Sequence, residues 1–563
     1  LALPHHGQHA DQQFAECASQ FLARLFSMRP VLATSMGIHE HDDRLRNFDR
    51  YSLHEELALT REFLHSIDKV SVVDLTGHNR LDYRIARAEA QMMIAEFEHQ
   101  NAVFRRPDIY LDEAVYGCYL LMARSFAPVE QRAVSLLARL RQVPKTLRSA
   151  EANILSSAMP FVETARMSAQ GALQLYREGV DRFTESVSPP SLQRLLRTAA
   201  EEAATAVESF LHWLNGPISA SADLNFALGR VQYDYAVQVG HMLDEDADSL
   251  LAYGENSVQQ TVMALQETAA EIAPSSSWAA VIDSLKNEHP SAEELPVAYA
   301  REAVRAREFV REKDLVTFPE NEALEMVETP AFARPLLPYA AYMPAAALDQ
   351  RQTGQFWVTP LDTTQSADRQ RQQMRGHSIW GIPVIALHEA YPGHHLQIST
   401  ANRHPSLLRR FFGQSALFAE GWALYCEEMM WEQGFYSDAR TRLLHLKDLL
   451  WRACRVVVDT GLHTRGMRVE DAVDYMVETA HLERPNAEAE VRRYCCTPTQ
   501  PMTYLLGRRE ILQMRADLRK RRRKRFSLRE FHDQLLSFGT VPFRVIREEW
   551  ELQSPNPATP SPG

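Results

Sequence analysis

Cysteine is scarce: six in 563 residues, at positions 17, 118, 426, 454, 495 and 496, with no C-x-x-C spacing. That excludes a disulfide framework. Free thiols, buried or half-buried, are expected, and a reducing cytoplasm fits them. Positive charge is in the minority, 61 Lys and Arg against 73 Asp and Glu, a net charge of −12. Non-specific binding to nucleic acid or to an anionic membrane is therefore not expected. No apolar run approaches the roughly 18 residues of a membrane span. The first residues, Leu-Ala-Leu-Pro-His-His, lack the basic and apolar regions of a signal peptide. No Met opens the chain, and a removed leader, a start trimmed from a longer sequence or a non-standard start codon would each account for that. No short-period repeat occurs.

What remains is an ordinary globular composition, 45% hydrophobic and 24% charged, in a chain longer than one core usually serves. The periodicity predicts a mainly α fold. Residues 10–28 carry Phe14, Cys17, Phe21, Leu22 and Leu25 at helical spacing. Residues 191–214 do the same with Leu192, Leu195, Leu196, Ala199, Ala203, Val207 and Leu211, and residues 246–272 follow, capped by Asp244 or Asp246. Pro189, Pro190, Pro217 and Pro274 punctuate them. The segment from Arg334 to Pro344 is proline-rich and not helical. Gly354 to Pro360 reads as a short edge strand, a natural rail for an extended peptide. We expect residues 1–330 to form a helical region walling part of an active-site cleft. Residues 331–552 should carry the chemistry, and 553–563 should be a disordered tail. The basic run Arg519 to Arg525 reads as a solvated helix end, or else as a local patch for an anionic partner.

The densest chemistry lies in Ala386-Leu-His-Glu-Ala-Tyr-Pro-Gly-His-His-Leu-Gln397. Neutral imidazoles suit Zn²⁺, and an adjacent glutamate can act as a base. The spacing resists a simple reading. On a regular helix His394 points about 120° away from His388, and His395 lies about 10.5 Å further along. Pro392 cannot donate to the carbonyl of residue 388 and clashes with it, so the helix must bulge or break. A two-residue bulge at Tyr391-Pro392, with Gly393 absorbing the turn, would bring His394 beside His388. His395 would then point into the cleft or behind the ligands, although it remains an alternative second ligand. Phe418-Ala-Glu-Gly-Trp-Ala-Leu-Tyr-Cys-Glu-Glu428 offers a third ligand in Glu420. Glu427, two turns on and on the same face, could orient a ligand.

The two motifs together resemble the signature of the DUF885 family, a bacterial family described as of unknown function. That family is similar to gluzincin-type metallopeptidases. The resemblance spans nearly the whole chain. Pro30 to His39 matches the family's opening, Arg452 to His463 its middle, and Glu490 to Gly507 and Phe531 to Gly539 its end. The basic run at 519–525 departs from it. The resemblance implies a gluzincin-like helical body with a central cleft and a small sheet beside the metal-binding helix. It also implies Zn²⁺ at His388, His394 and Glu420, with Glu389 as general base. Tyr504 becomes the candidate donor to the developing oxyanion, since similar peptidases use a tyrosine from a downstream helix.

Arg455 and Arg493 are the cations suited to a substrate carboxylate, because guanidinium offers a bidentate fork. Arg455 could equally form a buried pair with Asp459 at i+4. His463 reads as a satisfied core histidine or one that supports a ligand. The leading expectation is a zinc peptidase of carboxypeptidase or dipeptidase type, acting on short peptides, with no nucleic-acid or membrane partner. A monomer and a homodimer are both open. A zinc amidohydrolase on a modified amino acid is the first alternative. A catalytically silent binding protein is the second, and it would have no use for Glu389.

Overall fold

The computed structural model describes residues 6–334, 337 and 339–553. Helices account for almost all regular structure, with three strands inserted between residues 322 and 358. The helices form where the apolar spacing places them. His6–Met28 buries Phe14, Phe21 and Leu25. Pro190–Asn215 starts with its proline in the first turn, where the missing N–H costs nothing. It buries Leu196, Ala203 and Val207 but leaves Leu195 outside the stripe, 45% exposed. Ala247–Ile272 is capped by Asp246, whose carboxylate accepts from Ser249 N–H at 3.0 Å.

Two large apolar cores hold these helices. One gathers Phe14, Tyr299, Leu387, Trp422, Leu450 and Leu506, and so joins residues on both sides of position 330. The other gathers Tyr110, Leu136, Leu196, Phe210 and Trp357. All six cysteines are free, five of them buried.

The sheet corrects one expectation. Its order is β1 (Glu322–Glu328), β3 (Gln352–Val358), β2 (Ala340–Met343). The strand read as an edge is therefore the centre. β3 pairs parallel with β1 and antiparallel with β2. Pro360 lies beyond its end and removes no ladder hydrogen bond. β2 forms inside the segment that looked merely non-helical, and it and β1 are the two edges. The Glu322–Glu328 sequence, EALEMVE, favours helix by propensity but becomes a strand because β3 offers it a partner.

The basic run ends the Thr503–Arg522 helix and fills the short turn Arg523–Arg525. Its residues are exposed apart from a half-buried Arg522, which fits a solvated helix end whose cations complement the helix dipole. The expected disordered tail lies outside the described residues, apart from Gln553, which closes the last helix. Among the described residues no helix is long and apolar enough to cross a membrane.

Candidate metal centre

The His-Glu stretch folds as two short helices, Ile382–Glu389 and His394–Ala401. Between them the ladder skips two residues. Gly393 N–H donates to Leu387 C=O at 3.0 Å and Leu396 N–H to Ala390 C=O at 3.4 Å, each spanning six positions instead of four. That is the two-residue insertion demanded by Pro392, and the Tyr391–Pro392 peptide is cis. Gly393 is required by close approach: a Cβ there would overlap the backbone of Leu387 and His388. The break frees the Pro392 carbonyl, which accepts from the Trp422 indole N–H at 2.8 Å. Trp422 lies on Ala416–Glu432, two residues after Glu420, so the same helix pins the break and presents the carboxylate.

The result is a cluster. Ligand atoms of His388, His394 and Glu420 lie within 4.8 Å of one another. His394 Nε2 stands 3.3 Å from a Glu420 oxygen, and the two imidazole rings are 4.8 Å apart, edge to face. A tetrahedral zinc with bonds of about 2.0–2.2 Å needs donors roughly 3.4 Å apart. The set therefore fits after a side-chain adjustment of about an ångström, and two nitrogens with one carboxylate is a zinc-type donor set. Glu427 accepts from His388 Nδ1 at 2.7 Å, which turns Nε2 toward the cluster. Among the described residues His394 has no such holder, its Nδ1 being buried without a partner.

Burial pushes His388 well below the ordinary histidine range, with the His394 charge adding to it, so it stands neutral, the form a metal would need. Burial would raise Glu420, but its hydrogen bond to His394 and the charges of both histidines hold it at about 2. His394 is raised against its burial by that same carboxylate. Burial lifts Glu389 to about 7, with the His394 charge opposing and the Glu420 charge adding. A carboxyl balanced near neutrality can both take and return a proton. The Tyr342 backbone amide, on the free edge of β2, faces it.

These groups share one wall of a cavity of ≈ 510 Å³, which Tyr504, Arg455 and Arg493 also line. Tyr504 arrives there because its helix crosses Ala416–Glu432 at very short range. A Cβ on Gly507 would lie 2.7 Å from the Gly421 Cα. Arg455 is held differently from the sequence expectation. Its Nη2 donates to Glu490 at 2.9 Å and its Nε to the Tyr494 hydroxyl at 2.9 Å. Asp459, the expected i+4 partner, instead accepts from the Tyr233 hydroxyl at 2.8 Å and from Thr499 N–H. Arg493 donates to Glu490 at 2.9 Å and to Gln500 at 2.8 Å.

Two candidates lie elsewhere. His395 does not enter the cavity. Its Nδ1 meets the Tyr342 hydroxyl at 3.0 Å and its Nε2 meets Glu322 at 2.7 Å, tying the helix to β1 and β2. His463 is a satisfied core histidine: Nδ1 accepts from Leu228 N–H at 3.2 Å and Nε2 donates to Tyr494 C=O at 3.0 Å. Sequence reasoning missed Glu490, Tyr494 and Trp451. Glu490 and Tyr494 sit one turn apart on Arg484–Cys496, and that i, i+4 spacing was the available signal. Trp451 sits one turn before Arg455 on Ala439–Thr464. Glu322 was hidden in a stretch that reads as helix.

Two solved structures are similar over nearly the whole chain. One is described as a candidate lipoprotein of unknown function from Shewanella oneidensis, at 24% identity and a TM-score of 0.78, covering 96% of this chain and 100% of that one. The other is a candidate lipoprotein from Colwellia psychrerythraea, at 21% identity and a TM-score of 0.81, covering 96% of this chain and 99% of that one. These likenesses concern the fold. No curated protein matches the chain. The pattern of bacterial proteins of unknown function named DUF885 matches residues 30–549, and the chain belongs to that family.

Proposed function

We propose that this protein is a zinc-dependent hydrolase of amide bonds in short peptides, an exopeptidase of carboxypeptidase or dipeptidase type with a gluzincin-like site. The observation that carries this reading is the meeting, in one cavity, of a two-histidine, one-glutamate donor set with a carboxyl lifted to about 7. A binding protein has no use for that carboxyl. His388, His394 and Glu420 would hold the ion, with Glu427 orienting His388. When bound, Zn²⁺ supplies a Lewis acid for the substrate carbonyl and lowers the pKa of a water. Glu389 takes a proton from the attacking water and delivers it to the departing amine nitrogen as the C–N bond breaks. Tyr504 donates to the carbonyl oxygen as it gains charge; such a donor is typically worth about 10²–10³ in rate. The cavity volume suits a small substrate and excludes a folded protein.

Metal analysis with a peptide panel tests this. One zinc per chain, lost in His388→Ala, and hydrolysis abolished in a zinc-loaded Glu389→Gln are the expected results. No metal in the wild type, or full turnover by Glu389→Gln, removes the assignment. Turnover of acylated amino acids but of no peptide would favour the amidohydrolase. The two similar folds are described as candidate lipoproteins, a class held at a membrane by acyl chains. On that likeness we place this chain in the cell envelope in preference to the cytoplasm. Fractionation of the native host tests it, and recovery wholly in the cytosol would reverse the assignment.

A further inference from the structure

One guanidinium in the cavity is poised for a ligand that the protein does not supply. Arg455 is buried, 4% exposed, yet lines the cavity. Two of its nitrogens are used, Nε by the Tyr494 hydroxyl and Nη2 by Glu490. The third, Nη1, is buried with no partner among the described residues. Its plane is fixed by two aromatic rings, with the guanidinium carbon 4.3 Å from the Trp451 ring centre and 4.5 Å from that of Tyr504.

Its counter-charge is shared as well. Arg455 and Arg493 both donate to the same Glu490 oxygen, which also accepts from the Tyr494 hydroxyl at 2.6 Å. Two guanidinium groups thus share one carboxylate. Glu420, whose charge also acts on Arg455, is engaged by His394. An incoming anion can share these two cations, and charge-assisted hydrogen bonds of guanidinium to carboxylate are strong. Arg493 is the poorer anchor, because all three of its nitrogens already have partners.

We infer that Arg455 Nη1 receives the free α-carboxylate of the substrate, so that the protein removes the last amino acid of short peptides bearing an unblocked C-terminus. This rests on the hydrolase reading for the bond that is cut, but not for the anion site itself. The distance argument is short. The Tyr504 ring packs on Arg455, and its hydroxyl is the proposed donor to the scissile carbonyl. The carboxylate and that carbonyl therefore belong to neighbouring positions, as in a terminal residue whose Cα lies about 3.8 Å from the one before. A guanidinium held rigid before binding loses little freedom when the anion arrives.

The test compares acetyl-alanyl-phenylalanine with its C-terminal carboxamide. Binding is measured by calorimetry on zinc-loaded Glu389→Gln, and kcat/KM on the wild type. The acid is expected to bind about 10–100-fold more tightly than the amide, as for one charge-assisted hydrogen-bonded contact. The kcat/KM ratio should follow. Arg455→Met in the Glu389→Gln background should bring the ratio near one. Because that variant could lose its fold, the acid-to-amide ratio with Arg455 intact is decisive by itself. Equal binding of the two forms, or no binding of either up to millimolar concentration, overturns the inference. Hydrolysis of acid and amide at equal rates would leave the hydrolase standing and remove this site. Acid-selective, Arg455-dependent binding without any hydrolysis would do the reverse.

Discussion

A methyl group at residue 393 probes the break that makes the centre. In Gly393→Ala the added Cβ falls 2.5 Å from the Leu387 carbonyl oxygen and nearer still to that of His388. A carbon sits about 3.3 Å or more from a carbonyl oxygen. The chain on the two sides of the break must therefore separate by roughly 0.8 Å at least. No rotamer change relieves this, because the overlapping atoms are backbone, held by the 3.0 Å bond from Gly393 N–H to Leu387. His394 begins the next helix and moves with it. Metal–ligand distances tolerate only about 0.2 Å, so zinc affinity should fall by more than the roughly 10–100-fold that follows loss of a supporting residue. The overpacking should also cost about 1–3 kcal/mol of stability. The assay is zinc competition against a chelator of known affinity, with circular dichroism to verify the fold. Gly77→Ala is the control, since a Cβ there meets nothing within 4 Å. Gly393→Ala binding zinc as tightly as the wild type would show that the insertion does not set the ligand positions.

Glu427→Ala, which removes the acceptor for His388 Nδ1, should weaken zinc about 10–100-fold with the fold intact; unchanged affinity in the same competition would end its role. Trp422→Phe leaves the buried Pro392 carbonyl without its 2.8 Å donor and should cost about 1–3 kcal/mol in urea unfolding. Gly507→Ala pushes the helices carrying Glu420 and Tyr504 apart, so kcat should drop more than stability; wild-type turnover would contradict that. His532 is bonded at both nitrogens, to Leu315 C=O and the Tyr425 hydroxyl, and burial holds it down at about 4, below an ordinary 6.5. The unfolded chain therefore binds the extra proton between those pH values, and the stability His532 confers is present above pH 6.5 and lost as pH falls toward 4. The stability gap between wild type and His532→Gln should shrink by about 2 kcal/mol from pH 7.5 to pH 5, and a constant gap would refute it.

Much of the candidate centre was legible because its signals are local. Pro392 forbids a regular helix through its own position, and that alone forces an irregularity between His388 and His394. Glu427 follows Glu420 by two turns, so shared facing was readable from the spacing. The failures came where partners are distant in sequence. The i, i+4 spacing offers Asp459 as an alternative partner for Arg455, but Tyr233 from another helix claims Asp459 and Glu490 claims Arg455. The sequence leaves His395 between the cleft and a place behind the ligands, because nothing in its neighbourhood announces Glu322, 73 residues earlier. β3 looked like an edge because strand order is a property of the assembled sheet.

The sequence by itself determined the helical class, the existence of a break at Tyr391-Pro392-Gly393 and the residue types able to hold a metal. Helical period, proline's missing N–H and imidazole chemistry act within a few residues and need no fold to express them. Only the tertiary structure decided which histidine turns inward, which carboxylate holds which imidazole and which guanidinium keeps a nitrogen free. Those outcomes depend on burial and on competition among partners far apart in the chain, and a buried polar group takes whichever partner the packing brings within 3 Å or so.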